Sequence, residues 1–177
     1  MTITRILTAA VSVTAAGIAI SVAPADAGRG ALHASATLVD SKGASVGTVR
    51  LVEDARGSLH VNVKVAGISP GNHGIHIHAV GSCASTAVAF SGAGSHHNPG
   101  GLGHGAHAGD LPNLRVNTAG RGSLNATTDH ATLSNGPVTV FDLDGSAVVV
   151  HAAADDYVTN PTGNRGARIL CGVITAN

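Results

Sequence analysis

Leu59-His60-Val61-Asn62-Val63-Lys64-Val65, followed across the turn Ser69-Pro70-Gly71 by Gly74-Ile75-His76-Ile77-His78-Ala79-Val80, is the stretch on which the fold is decided. Apolar and polar residues alternate strictly in its first half, the period of a strand with one wet face, and nothing in it repeats at 3.6. In the second half His76 and His78 stand two apart. On a strand both side chains leave the same face, spaced to converge on one ion. A pair of surface histidines would read the same way.

Working outward, the same signature recurs. Ala31 to Val39 alternates and stops at Asp40-Ser41-Lys42-Gly43, and Ser45 to Val52 stops at Asp54-Ala55-Arg56-Gly57. Leu114 to Asn117 and Leu124 to Thr127 flank Thr118-Ala119-Gly120-Arg121-Gly122 as a hairpin, and Ala147 to His151 and Ile169 to Thr175 close the set. Short strands between turn signals, with no helical period, predict an all-β fold: an eight-stranded antiparallel Greek-key sandwich or flattened barrel. Phe90, Phe141 and Tyr157 are the only aromatic residues, so the core must be built from Val, Ile, Leu and Ala. Two stretches fit no strand. Gly81 to Pro112 is a loop of unusual length, rich in Gly, Ala, Ser and His, and loops of that kind are commonly functional or disordered. Ala152 to Ala167 is a second, shorter one.

Residues 1–27 read as a signal peptide: Arg5 supplies the positive end, Ile6 to Ile20 the apolar run, and Ala25-Asp26-Ala27 the cleavage signature. The run is shorter than the roughly 20 apolar residues of a membrane span. No Cys beside the cleavage site offers a lipid anchor. The expected mature domain, residues 28–177, is secreted or otherwise extracytoplasmic and has no stable membrane insertion. The whole chain carries 10 basic and 10 acidic residues, so it has no basic excess with which to bind nucleic acid. Cys83 and Cys171 are the only cysteines, and in an oxidising compartment one disulfide is the natural reading.

The chain has 11 histidines, and they cluster. His151 ends a strand and could join His76 and His78; an all-imidazole set on rigid strands suits copper. In the long loop His96, His104, His107 and Asp110 make three imidazoles and a carboxylate, a four-coordinate set that zinc accepts. A bound ion would also order a glycine-rich loop. The alternative is a solvated histidine-rich tract that binds metal loosely.

Gly74-Ile75-His76-Ile77-His78, Ser95-His96-His97-Asn98-Pro99, Gly103-His104-Gly105, His107-Ala108-Gly109-Asp110-Leu111-Pro112-Asn113-Leu114, Val150-His151 and Gly163-Asn164-Arg165-Gly166-Ala167-Arg168-Ile169-Leu170-Cys171-Gly172-Val173-Ile174, taken in order, resemble the copper–zinc superoxide dismutases. The resemblance covers nearly all of the expected mature chain. It implies that His76, His78 and His151 hold copper, that His96 bridges the two metals as a catalytic imidazolate, and that His104, His107 and Asp110 complete the zinc site. It implies that Arg168 is catalytic, guiding the superoxide anion to copper, that Asp155 links His76 to His104, and that Cys83 pairs with Cys171. It implies His73 as structural. Read from their own surroundings, His97, beside His96, is expected to be an exposed non-ligand, and His33, His60 and His130 ordinary strand or surface residues. The implied reaction is disproportionation of superoxide to dioxygen and hydrogen peroxide by Cu(II)/Cu(I) cycling, in a monomer or a homodimer. Two departures stand out. The His104–His107 spacing is short, which predicts a strained or tightened zinc site, and Thr159-Asn160-Pro161-Thr162 stands where many relatives carry charge, which predicts weak long-range steering. Two rivals remain. A metal-binding protein without turnover needs the histidines but not Arg168, and a purely structural domain needs neither.

Overall fold

A computed structural model describes residues 30–177; the proposed signal peptide lies outside the described residues. Among the described residues ten strands run in the order β1 Leu32–Val39, β2 Ser45–Glu53, β3 Leu59–Ala66, β4 Gly71–His73, β5 Ile75–His78, β6 Leu114–Val116, β7 Arg121–Thr128, β8 Ala147–His151, β9 Arg168–Val173 and β10 Thr175–Ala176. The only helical element among the described residues is a single 3-10 turn, Ser91–Ala93. All strand pairings are antiparallel. The sheet order β4-β6-β7-β3-β2-β1-β9-β8-β5 begins and ends on consecutive strands, so the sheet curls into a nearly closed barrel.

The expected all-β architecture holds, with ten strands where the turn signals predict eight. The segment from Gly71 to His78 is split at Gly74: β4 pairs with β6, whereas β5 pairs with β8 at the far end of the sheet. Gly74 closes the seam through its own backbone, donating to Ala153 O and accepting from His151 N, both at 2.8 Å. The last predicted strand likewise divides into β9 and β10, the latter pairing with β1.

The alternation of β3 is borne out: Leu59, Val61, Val63 and Val65 are buried, while His60 and Lys64 are exposed. With Val49, Leu51, Leu114, Val148, Val150 and Leu170 they form one core, each large side chain contributing about 1.5–3 kcal/mol relative to exposure. β5 differs. All four of its residues are buried, because Ile75 and Ile77 face the core while His76 and His78 face outward under the long loop. That loop brings a small core of its own, in which Phe90 and Ala93 pack with Ala147, Val149 and Cys171. Among the described residues, no helix is long and apolar enough to cross a membrane.

Candidate metal centre

His76 and His78 on β5 and His151 at the end of β8 are brought together by the β5–β8 pairing, and His96 pairs with His78 as an isolated bridge. One ligand atom from each of the four lies within 4.8 Å of the others. All four side chains are buried. The outward bonds of two rings fix their tautomers. The Nε2 of His76 donates to Asp155 Oδ2 at 2.5 Å, and the Nδ1 of His78 donates to the Gly94 carbonyl at 3.0 Å. Each ring therefore keeps its lone pair on the other nitrogen, and those atoms, His76 Nδ1 and His78 Nε2, are buried without a partner, as is His96 Nε2. Buried polar atoms without partners are costly, and three aimed into one cluster fit a nitrogen-ligated ion such as copper. Burial keeps these imidazoles neutral. It lowers His78 to about 2 and His96 to about 4, the latter partly offset by its hydrogen bond to Asp110, and it lowers His76 and His151 as well.

The second cluster shares His96. Its Nδ1 is 2.9 Å from Asp110 Oδ1 and 3.1 Å from His107 Nδ1. His107 Nδ1 is 3.2 Å from Asp110 Oδ1, and His104 Nδ1 is 3.4 Å from Asp110 Oδ2. A tetrahedral zinc with ligands at about 2.0 Å has edges of about 3.3 Å, so the donor set has the size of that ion. Burial pushes the Asp110 carboxyl up, but the His96 hydrogen bond and the His107 and His104 rings bring it down to about 2, so it stands ionised. The short His104–His107 spacing still lets both rings meet, because Gly105 turns the chain at φ +88°, and a Cβ there would lie 3.0 Å from Tyr157 O.

Asp155 joins the clusters from behind. Its Oδ2 receives His76, its Oδ1 lies 2.8 Å from His104 Nε2, and its backbone is clamped by Asn113 at 2.8 and 2.9 Å. Gly163 allows this approach, since a Cβ there would collide with Asp155 Oδ1 and His104 Nε2. Carboxylates that receive ligand imidazoles orient them and raise their basicity. We therefore expect Asp155→Asn, whose amide can accept from only one of the two rings, to weaken zinc binding about 10–100-fold in a chelator competition. Unchanged zinc affinity would show that the bridge is incidental.

Arg168, half-buried at the start of β9, donates from Nη1 to Phe90 O at 2.6 Å and from Nη2 to Gly94 O at 2.5 Å. It lines a cleft of about 360 Å³ that reaches His96. Cys83 and Cys171 form the disulfide. His73 is buried, its ring nitrogens 2.8 and 2.9 Å from the carbonyl oxygens of His151 and Ser69, so it braces the strand end that carries His151. His33, His60 and His130 are exposed. His97 corrects an expectation. It is buried, because the bridge that turns His96 toward the histidine cluster turns its neighbour the opposite way, with Nε2 3.4 Å from Val138 O. Two residues carry more than the sequence suggested. Glu53 is buried and accepts from Leu133 N, Ser134 N and Ser134 Oγ at 2.5–2.7 Å, pinning the loop at 129–146. Arg165 is buried, and its Nε donates to His151 Nε2 at 2.8 Å. A second arginine three residues before Arg168, set among Gly163, Gly166 and Ala167, was the available signal.

These features can be set beside known proteins. Residues 45–174 match the family model described as copper/zinc superoxide dismutase. A superoxide dismutase-like protein of Bacillus subtilis, YojM, is 38% identical over 148 residues, covering 79% of this chain and 74% of that protein. A Cu-Zn superoxide dismutase of Deinococcus radiodurans is 37% identical over 178 residues, covering 92% and 93%. A crystal structure of a SOD-like protein from Bacillus subtilis matches at a TM-score of 0.73 with 37% identity, covering 78% of this chain and 96% of that one. With the family model spanning most of the barrel and both histidine clusters, the chain belongs to the copper/zinc superoxide dismutase family.

Proposed function

We propose that the protein is a superoxide dismutase that holds copper between His76, His78, His96 and His151 and zinc between His96, His104, His107 and Asp110. The observation that carries the reading is His96, whose Nδ1 faces one cluster and whose partnerless Nε2 belongs to the other. Copper, when bound, supplies a one-electron couple that takes an electron from one superoxide and returns it to the next. The remaining work falls to the chain. As an imidazolate His96 offers a lone pair to each cluster, and with its Nε2 released it holds a proton there. Two superoxide anions and two protons leave as one dioxygen and one hydrogen peroxide. His78 and His76 are held by Gly94 and Asp155, so their donor atoms stay aimed inward through the cycle. The cation at Arg168 is fixed by two carbonyls, and guanidinium remains charged at any working pH.

The relative named only as dismutase-like supports a second reading, metal binding without turnover. Metal analysis together with a superoxide-decay assay on the copper- and zinc-loaded protein separates the two. Two bound metals with no copper-dependent decay would sink the enzyme reading. On the same assay Arg168→Glu is expected to slow decay about tenfold or more, the size of effect that reversing a unit charge near an anion's path produces, with copper content unchanged. The leader at residues 1–27, the export of residues 28–177 and the disulfide form one consistent set for an extracytoplasmic enzyme, checked by N-terminal sequencing of the exported protein.

A further inference from the structure

We propose that Arg165 competes with copper for the lone pair of His151, so that occupation of the copper site requires this arginine to let go. The inference rests on the copper reading of the His76, His78, His96 and His151 cluster given above.

A guanidinium only donates hydrogen bonds. With Arg165 Nε 2.8 Å from His151 Nε2, that ring nitrogen must be the acceptor. A neutral imidazole has one accepting nitrogen, so the proton sits on Nδ1, which is buried and has no partner. Held this way, His151 has no lone pair left to give to an ion. The contrast with its neighbours is chemical. His76 and His78 make their outward bonds to a carboxylate and a carbonyl, acceptors that push the proton outward and free the inward nitrogen. The partner of His151 is a cation that takes up the lone pair instead.

Arg165 is also placed to move. Its Nη1 donates to the Thr162 carbonyl, a tie to the same short loop, while its own carbonyl accepts from Ala153 N at 2.9 Å and fixes only the backbone. Beside it lies a cleft of about 420 Å³ lined by Val88, Thr162, Asn164, Arg168 and His151. No carboxylate lines this cleft or the neighbouring one that reaches His96, so neither offers a competing anion to hold the guanidinium. A released Arg165 stands in the cleft with Arg168, as a second cation at the approach to the cluster.

The test is copper affinity, read by competition with a Cu(II) chelator in zinc-loaded, disulfide-intact protein, with zinc affinity and the nitrogen hyperfine pattern of bound Cu(II) followed in parallel. Arg165→Met keeps an unbranched apolar stem and removes every donor. It is expected to bind Cu(II) about ten- to a hundredfold more tightly than the parent, the range set by losing one charged hydrogen bond to the ligand, with zinc affinity unchanged. Arg165→Leu, which also removes every donor, reads the same equilibrium where the Met variant does not fold, and is expected to shift it in the same direction. Equal or weaker copper binding in a folded variant overturns the competition. A parent protein that shows no nitrogen-rich Cu(II) site at all overturns the copper reading itself, and this inference with it.

Discussion

Stripped of metal, the disulfide-intact protein is expected to lose stability steeply as the pH falls below 6.5, and to unfold at about pH 4–5. Burial, ahead of every other influence, lowers the pKa values of His76, His78, His96 and His151 beneath the 6.5 of an exposed imidazole, to about 2 for His78 and about 4 for His96. The unfolded chain therefore takes up protons below pH 6.5 that the folded chain refuses. Stability is complete above 6.5 and is lost as pH falls from there toward the folded values. At pH 5 His78 and His96 each cost roughly 2 kcal/mol, and the lowered His76 and His151 add to a loss already comparable with the net stability of an ordinary domain at about 5–15 kcal/mol. Asp110 and Asp155, held below the usual carboxylate value of 3.8, add to the loss only under about pH 4. Urea midpoints measured at pH 7, 6 and 5 should fall in that order. Saturating zinc and copper should raise the midpoint at every pH, since they bind the folded form, while the fall with pH persists because the unfolded chain still takes up the protons. Equal midpoints at pH 7 and 5 in the metal-free protein would show that these imidazoles are not held neutral by the fold.

How much of this was legible in the sequence depends on the range of each interaction. The barrel was legible because period-2 alternation and turn residues act locally, and β3 carries its alternation unaltered from sequence to burial. His76 and His78 were legible as a pair for the same reason. His151 joined them only as a strand end and through the family resemblance, because the β5–β8 pairing that brings it there is non-local. The loop histidines and Asp110 announced themselves by residue type, but their convergence depends on the turn at Gly105 and on Asp155 reaching across a gap that Gly163 leaves open. Glu53 binds a loop 80 residues away, and nothing in its neighbourhood of sequence points there. The environment of Arg165 was equally hidden. A buried arginine is stabilised by what its fold places around it, and composition sees only a charge. His97 shows the converse failure: its place beside His96 suggested exposure, while the bridge between His96 and His78 turned it inward.

Replacing Cys83 and Cys171 together by alanine is expected to cost stability and metal-site order at once. The bridge closes a loop of 88 residues, and the chain-entropy estimate for such a closure is about 4.6 kcal/mol, a third or more of the stability of an ordinary domain. The functional consequence follows from what the bridge ties down. Cys171 on β9 is buried against Phe90 and Ala93, the small core that seats the first part of the long loop on the barrel. That part of the loop provides the Phe90 and Gly94 carbonyls that hold Arg168, and the Gly94 carbonyl also fixes the tautomer of His78. Freed at Cys83, the segment can lift from β8 and β9, and both residues lose the acceptors that aim them. His104 and Asp110 take their partners from Asp155 and the Gly105 turn, so the zinc cluster should suffer less. The expected pattern is a urea midpoint lowered by the equivalent of several kcal/mol, a copper affinity that falls more than the zinc affinity, and a copper-dependent rate that falls further than copper occupancy explains. A variant with the large stability loss but parent-like copper affinity and rate per bound copper would separate the two roles. It would leave the disulfide a clamp on the fold, with Phe90 and Gly94 held in place by packing alone.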